Sequence, residues 1–255
     1  MTPDLIAAYF ADHQSALWLL TITVDLTFAL MLYRFFGEYG LYASVILGIL
    51  LANLQGPKLT MIWLPVIGEL QTSMGVILYS GIYFATDLLS EKYGKKAATR
   101  AVQLGFITSI FIVVMISISL MFLPATDPKT FEFSQDIHNA FATIFNFTPR
   151  FVFGSLLAYY ISQTFDVWMF HYLKEKTKGK HLWIRNNLST ICSQAIDTSV
   201  YSLVVWWGVV DLQTAVMLGL AKYVFKVIIA AIDTPFIYLG RSWSTPKTTA
   251  PLLRR

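Results

Sequence analysis

The chain has 255 residues, of which 56% are hydrophobic and 13% charged, and its formal net charge is +4. Soluble domains carry about 25% charged residues, so half that load excludes an ordinary soluble globule and points to a chain solvated by lipid. The excess of basic residues is spread over short connections and forms no patch, so nucleic acid is not an expected partner. The single cysteine, Cys192, sits in an apolar run, which excludes an internal disulfide framework.

Residues 1–15 contain no Lys or Arg and include Asp4 and Asp12, so no cleavable signal peptide is expected there. A membrane-spanning helix needs roughly 20 mostly apolar residues. Seven stretches qualify: 15–36, 39–55, 73–90, 97–123, 149–173, 184–208 and 212–240. Aromatic residues gather near the ends of these runs, as they do at membrane interfaces. The connections are short, so residues 1–255 are expected to form one all-α, polytopic transmembrane domain.

Two connections are irregular. Residues 56–72 are apolar but interrupted by Gly56-Pro57, Pro65 and Gly68, which reads as a re-entrant or interfacial excursion, extended in part. Residues 124–148 form a loop with a helix-periodic piece, 137–147, expected to lie on the membrane surface. Thr148-Pro149 then reads as an N-cap followed by a first-turn proline.

Basic residues give the orientation. Arg34, Lys92, Lys95, Lys96, Arg100, Lys174, Lys176, Lys178, Lys180, Arg185, Arg241, Lys247, Arg254 and Arg255 all fall on one side, which is 14 of the 19 Lys and Arg. Lys58, Lys129 and Arg150 fall on the other, and Lys222 and Lys226 lie within the last span. The amino terminus is expected outside and the carboxyl terminus in the cytoplasm, in a bacterial inner membrane.

The informative residues are charges at membrane depth: Asp25, Asp87, Asp166, Asp197, Lys222, Lys226 and Asp233. By insertion scales each one left unpaired near a helix centre costs about 2.5–3.5 kcal/mol. Together these costs would exceed the ~5–15 kcal/mol by which proteins are stable. The charges must be paired, protonated or wetted, and in each case they face the bundle interior.

Gln163 and Asp166 share a spacing of three with Gln194 and Asp197, which puts amide and carboxyl on one face of each of two neighbouring helices. Lys222 and Lys226 are four apart and share a face of the next. Carboxylates and carboxamides beside aromatic rings suit a planar heterocycle with a guanine-like edge, and Phe165, Trp168, Tyr201 and Tyr223 are candidate stackers. A proton relay or an ion path would use similar residues. The plainer reading is that buried Gln and Asp only cross-link helices, with Lys226 a structural counter-ion and Asp87 and Glu91 ordinary loop-end charges.

No nucleotide-binding loop, H-E-x-x-H, C-x-x-C or G-x-S-x-G motif is present. The chain is therefore not expected to be an enzyme, to power itself with ATP, or to hold a metal or cofactor.

The segments ATDLLSEKYGKKAATRAV (85–102), AYYISQTFDVWMF (158–170), RNNLSTICSQAIDTSVY (185–201) and KYVFKV (222–227) resemble the queuosine-precursor transporter family, in order and spacing from about Ser44 to Leu239. The resemblance implies a six-helix core similar in outline to the substrate-binding subunits of energy-coupling-factor transporters, here with an additional first span. It implies import of a 7-deazaguanine: 7-cyano-7-deazaguanine, its aminomethyl relative or queuine, for tRNA modification. It carries substrate binding to Asn53, Asp87, Gln163, Asp166, Asp197 and Lys226. Gln194 stands at a carboxamide position, Lys222 departs from the family pattern, and Asp25 inherits nothing. The expectation is a stand-alone transporter whose partners are its small-molecule substrate and the bilayer, with a homodimer left open. A binding subunit for a separate ATPase, or a membrane enzyme or scaffold, are the alternatives. Proton coupling through one aspartate and equilibrative flux followed by trapping both remain open.

Overall fold

The computed structural model describes residues 8–65, 67–145, 149–208 and 211–245. Thr148 of the expected N-cap and the basic residues Lys247, Arg254 and Arg255 lie outside the described residues. The elements in order are α1 (Gln14–Phe36), α2 (Glu38–Gln55), β1 (Leu59–Leu64), β2 (Gly68–Ser73), α3 (Gly75–Lys92), α4 (Lys95–Ser119), α5 (Phe131–Phe145), α6 (Pro149–Lys176), α7 (Leu182–Tyr201) and α8 (Leu212–Ser242). A short π-helical turn, Ser202–Trp206, extends α7.

The seven helices α1 to α4 and α6 to α8 overlap the seven expected spans. Three limits differ by four or more residues. α4 stops at Ser119 rather than at 123, α7 gives way to the π turn after Tyr201, and α5 begins at Phe131, ahead of the expected 137. Among the described residues three helical stretches are long and apolar enough to cross a membrane by composition: α1, α4 and Gly219–Ser242 of α8. A fourth qualifies if α5 and α6 are one broken span. α3, α6 and α7 carry the buried polar residues discussed below, which lower their average apolarity.

The expected excursion at 56–72 holds an antiparallel hairpin, the departure from helix among the described elements, with Leu59 opposite Ser73 and Leu64 opposite Gly68. Period-two alternation explains it: Ile62 and Leu64 are buried while Met61 and Trp63 are exposed. Pro65 has no amide to donate and follows β1, and Gly68 opens β2 at φ 91°, a conformation that glycine adopts without a steric penalty. Ser15 Oγ of α1 donates to the carbonyl of Trp63 (2.8 Å), tying the hairpin to the first helix.

α3 is the central post of the bundle. Every residue from Gly75 to Ser90 is buried except Tyr79, and the helix packs against α1, α2, α4, α6 and α8. It ends where Gly94, at φ 83°, returns its amide to the carbonyl of Leu89 (3.0 Å), so α4 can turn straight back. α7 completes the core by packing between α6 and α8.

Helix junctions leave no spare room. A Cβ built on Gly40 in α2 would lie 2.0 Å from the carbonyl oxygen of Leu32 in α1, a backbone atom that cannot swing aside. Overpacking of this kind costs about 1–3 kcal/mol, occasionally more. Gly40→Ala is therefore expected to lower the Tm of the detergent-solubilised protein by several degrees, and an unchanged melting curve would reject this tight α1–α2 junction.

Candidate functional site

α3, α6, α7 and α8 turn polar side chains toward one another at spacings of three and four residues, so each presents one stripe. On α3 the stripe is Tyr79, Tyr83, Asp87 and Glu91. At about 1.5 Å per residue these four span ~18 Å of the helix axis. The stripes meet in three layers.

The first layer centres on an ion pair between Lys226 Nζ of α8 and Asp197 Oδ2 of α7, 2.5 Å apart. Asp197 Oδ1 also accepts from Ser162 of α6 (3.2 Å) and from Tyr79 of α3 (3.5 Å). Tyr83 donates to Ser162 Oγ at 2.9 Å. The ammonium lies 5.1 Å from the centre of the Tyr79 ring, and that ring is 6.0 Å from those of both Tyr83 and Tyr159. A cation thus meets one carboxylate and one aromatic face in a cluster closed to solvent.

The second layer holds three carboxyl groups. Asp166 Oδ1 of α6 accepts from Ser193 at 2.8 Å, and Asp233 Oδ1 of α8 accepts from Asn186 Nδ2 at 2.8 Å. Asp87 Oδ2 of α3 accepts a long bond from Thr190 at 3.5 Å. Gln163 joins through Thr86, whose hydroxyl donates to its Oε1 at 3.3 Å.

The third layer closes the end that carries the basic loops. Glu91 of α3 binds Lys174 of α6 (3.0 Å), Arg185 of α7 (2.8 Å) and Arg241 of α8 (3.1 Å). Arg185 is fully buried and reaches both Glu91 oxygens. Glu91 is therefore no ordinary loop-end charge: one carboxylate clamps four helices.

Of the expected site residues, the structure brings Asp87, Gln163, Asp166, Asp197 and Lys226 together. Gln194 lies between Ser193 and Asp197 in register, and neither its Oε1 nor its Nε2 has a partner. Asn53 is elsewhere: its amide donates to the carbonyl of Ile49, and it lines a separate cavity of about 40 Å³ with Ile112, Phe145 and Val152. Of the expected stacking rings, Trp168 and Phe165 lie outside this cluster in the closed bundle. Trp168 is 48% exposed and stacks on Tyr172 at the bundle surface, with Phe165 tilted against it. Tyr223 donates to the carbonyl of Ile191. Tyr201 stands under the Lys222 ammonium, 4.8 Å from its ring centre, beside the ring of Phe151. The rings at the cluster are Tyr79, Tyr83 and Tyr159, which the sequence reading passed over. The signal was available: Tyr79 and Tyr83 precede Asp87 at a strict spacing of four. Asp25, of α1, abuts Gly81, where a Cβ would meet its carboxylate oxygen at 2.0 Å.

Residues 73–240 match a family described as "Putative vitamin uptake transporter". That stretch contains every member of the first two layers. The chain belongs to the vitamin uptake transporter family. It is 32% identical over 228 residues to the "Probable queuosine precursor transporter" of Bacillus subtilis (strain 168), which covers 89% of this chain and 94% of that protein. It is 27% identical over 164 residues to the "Queuosine precursor transporter" of Escherichia coli (strain K12), covering 63% and 68%. No solved structure matches. Membership of this transporter family and the apolar helices make it a multi-pass membrane protein.

Breaking a buried ion pair from one side leaves a bare charge and costs about 3–5 kcal/mol, whereas removing both partners is often tolerated. Lys226→Met is therefore expected to lower the Tm more than the double variant Asp197→Asn/Lys226→Met does. Equal losses in the two variants would show that the pair is not energetically coupled. At the other end, Glu91→Gln removes the charge that holds three cations. A cysteine placed at the buried Ser90 in a Cys192→Ala background should then react faster with a thiol reagent, and an unchanged rate would reject the clamp.

Proposed function

We propose that this chain imports a queuosine precursor of the 7-deazaguanine class across the bacterial inner membrane. The observation that carries the reading is a set of buried polar atoms without partners on three facing helices. They are Asp87 Oδ1 on α3, Gln163 Nε2 and Asp166 Oδ2 on α6, and Gln194 Oε1 and Nε2 on α7. A buried polar group left unpaired costs about 1–3 kcal/mol, so such a set persists when a ligand completes it in another state. A planar purine-like ring supplies both kinds of missing partner. Its ring N–H and exocyclic amine donate to carboxylates, and its oxo group accepts from an amide. The names of the two relatives support the same substrate class.

In this reading Asp166 and Asp197 accept the N–H groups, Gln163 and Gln194 complete the edge, and Tyr79, Tyr83 and Tyr159 supply ring faces. Lys226 keeps Asp197 charged as an acceptor. The cluster as it stands is closed, with Ser162, Gln163, Asp166 and Ser193 fully buried. The ring therefore enters only when the helices part, and alternating access follows from rocking α3 and α6 against α7 and α8. Seven helices cross the bilayer, α7 with its π turn among them, with the amino terminus outside and the Glu91 clamp in the cytoplasm. Every proposed binding residue comes from one chain, so a homodimer is not needed for the site. No reaction is assigned to the chain.

The test is a rescue. Cells unable to make the deazaguanine are given 7-cyano-7-deazaguanine at low concentration, and queuosine is measured in their tRNA. Rescue should depend on this chain and persist when it is expressed in a host with no matching ATPase module, which would dismiss the binding-subunit alternative. A hydrogen bond to a charged group contributes about 1.5–3 kcal/mol. Asp166→Asn and Asp197→Asn should therefore weaken uptake by ~10–100-fold while the protein still inserts. Full uptake by both variants would refute this site.

A further inference from the structure

Resting on the proposed site, we infer that Lys222 selects the substituent at position 7 of the bound deazaguanine. It favours a substituent that is uncharged and ends in a hydrogen-bond acceptor, and it rejects one that ends in an ammonium. α7 and α8 face each other as an antiparallel ladder: Asn186 meets Asp233, Asp197 meets Lys226 and Tyr201 meets Lys222. On the Asp197 rung the ammonium and carboxylate are 2.5 Å apart. One turn outward, the Lys222 ammonium lies 4.8 Å from the centre of the Tyr201 ring. Gly219 shares this face of α8 and keeps the seam narrow, because a Cβ there would stand 3.0 Å from Thr198 Cγ2 and 3.1 Å from Ser202 Oγ.

Two ammoniums thus share the seam with one carboxylate. Among the described residues the ion pairs are those of Glu91 with Lys174, Arg185 and Arg241, and that of Asp197 with Lys226, so none engages Lys222. Asp211 and Asp233 each stand eleven residues from it along α8, ~16 Å of helix axis and out of reach. Asp25 of α1 is deeper still than Phe225, because α1 meets α8 at Trp18–Phe225 and then, further in, at Tyr33–Trp243. A ring face compensates a cation in a lipid-solvated bundle only in part. The plainer reading is a lysine that reaches along the helix to outside water. Against it, Lys222 is half-buried, lies three residues inside the apolar stretch Gly219–Ser242, and turns its ammonium into the α7–α8 seam.

The proposed site sets which part of the ligand meets that charge. Asp166 is held by Ser193, four residues before Asp197 on α7, so the two acids are offset by ~6 Å along the helix axis. A fused bicyclic ring bridges such a step. With the edge of its six-membered ring on Asp166, Gln163 and Gln194, the N–H of its five-membered ring falls to Asp197. Position 7 is on that same five-membered ring, so its substituent points one turn outward, to Tyr201 and Lys222. An ammonium carries three donors and no acceptor. It donates to a nitrile nitrogen. It repels an aminomethyl group, which is protonated at neutral pH as a lysine amine is. Repulsion of the wrong partner is as much a source of specificity as attraction of the right one.

The test is calorimetric titration of the full-length protein in detergent with three ligands: 7-cyano-7-deazaguanine, 7-aminomethyl-7-deazaguanine and unsubstituted 7-deazaguanine. The quantity read in each protein is the ratio of the cyano and aminomethyl Kd values. The unaltered protein should bind the cyano compound about tenfold or more tightly than the aminomethyl compound. Lys222→Arg keeps the charge and should keep the preference. Lys222→Met should bring the two affinities to within about threefold, and Lys222→Glu should reverse their order. Equal affinities in the unaltered protein overturn the inference, and that comparison stands even where a variant is not monodisperse. A preference that survives in both Lys222→Met and Lys222→Glu overturns it as well. The unsubstituted ring separates this inference from the reading beneath it. If that ring binds while the substituted pair is not distinguished, Lys222 is no selector and the site stands. If none of the three binds, the purine reading itself is refuted, and the role of Lys222 falls with it.

Discussion

A carboxylate in the middle of a lipid-solvated bundle needs a cation, a proton or a full set of donors, and water is not there to supply them. This requirement organises the interior of the protein. The Asp197 layer meets it with the Lys226 ammonium, two hydroxyls and a tyrosine face. The Glu91 layer meets it with three cations at 2.8–3.1 Å. The layer between them has only hydroxyl and amide donors for three acids. It is the least satisfied part of the structure, and the proposed binding groups lie in it and in the layer above.

The contrast between layers has a mechanical reading. The Glu91 clamp joins α3, α6, α7 and α8 at one end, and the Lys226–Asp197 pair joins α7 and α8 nearer the other. Bistable packing of this type moves by exchanging contacts and not by gradual deformation. A clamp with one carboxylate for three cations has a net positive balance, so its loss leaves charges that water at a membrane surface can solvate. The buried Asp197–Lys226 pair has no such refuge. On the proposed rocking motion the Glu91 end parts at modest cost, while the Asp197–Lys226 pair travels as one unit with α7 and α8 and gives up only its hydroxyl bonds to α3 and α6.

Much of this was legible in the sequence. The Gln-x-x-Asp repeats at 163–166 and 194–197 turn one face of α6 and of α7 inward, and Lys226, a charge at membrane depth, is legible as a counter-ion, which the structure pairs with Asp197. Helix limits were off by a few residues where a run of apolar side chains carries no stop signal, as at Met121–Leu123. Gly56-Pro57, Pro65 and Gly68 mark residues 56–72 as irregular and partly extended, but the pairing of the two strands is not legible because Leu59–Leu64 is too apolar for its alternation to stand out. Aromatic partners were misassigned for a related reason. Phe165 is one residue and Trp168 two residues from Asp166, some 100° and 200° around the helix, so Trp168 faces outward while Tyr79, far away in the chain, faces in. Asn53 stands apart from the acids in the closed bundle, where its amide donates to the carbonyl one turn back.

The first helix, α1, repeats the same physics in miniature. Asp25 sits against Gly81, and the glycine is what makes room for its carboxyl beside the central post. Gly81 lies on α3 between Tyr79 and Tyr83, so α1 presses an acid onto the back of the helix whose front carries the tyrosines. Any shift of α3 during opening must move it relative to that carboxyl. α1 also packs against α8, which carries Lys226 and Asp233. A helix with no residue in the layers thus touches both helices that bracket them, which gives it a hold on the motion without a place in the site.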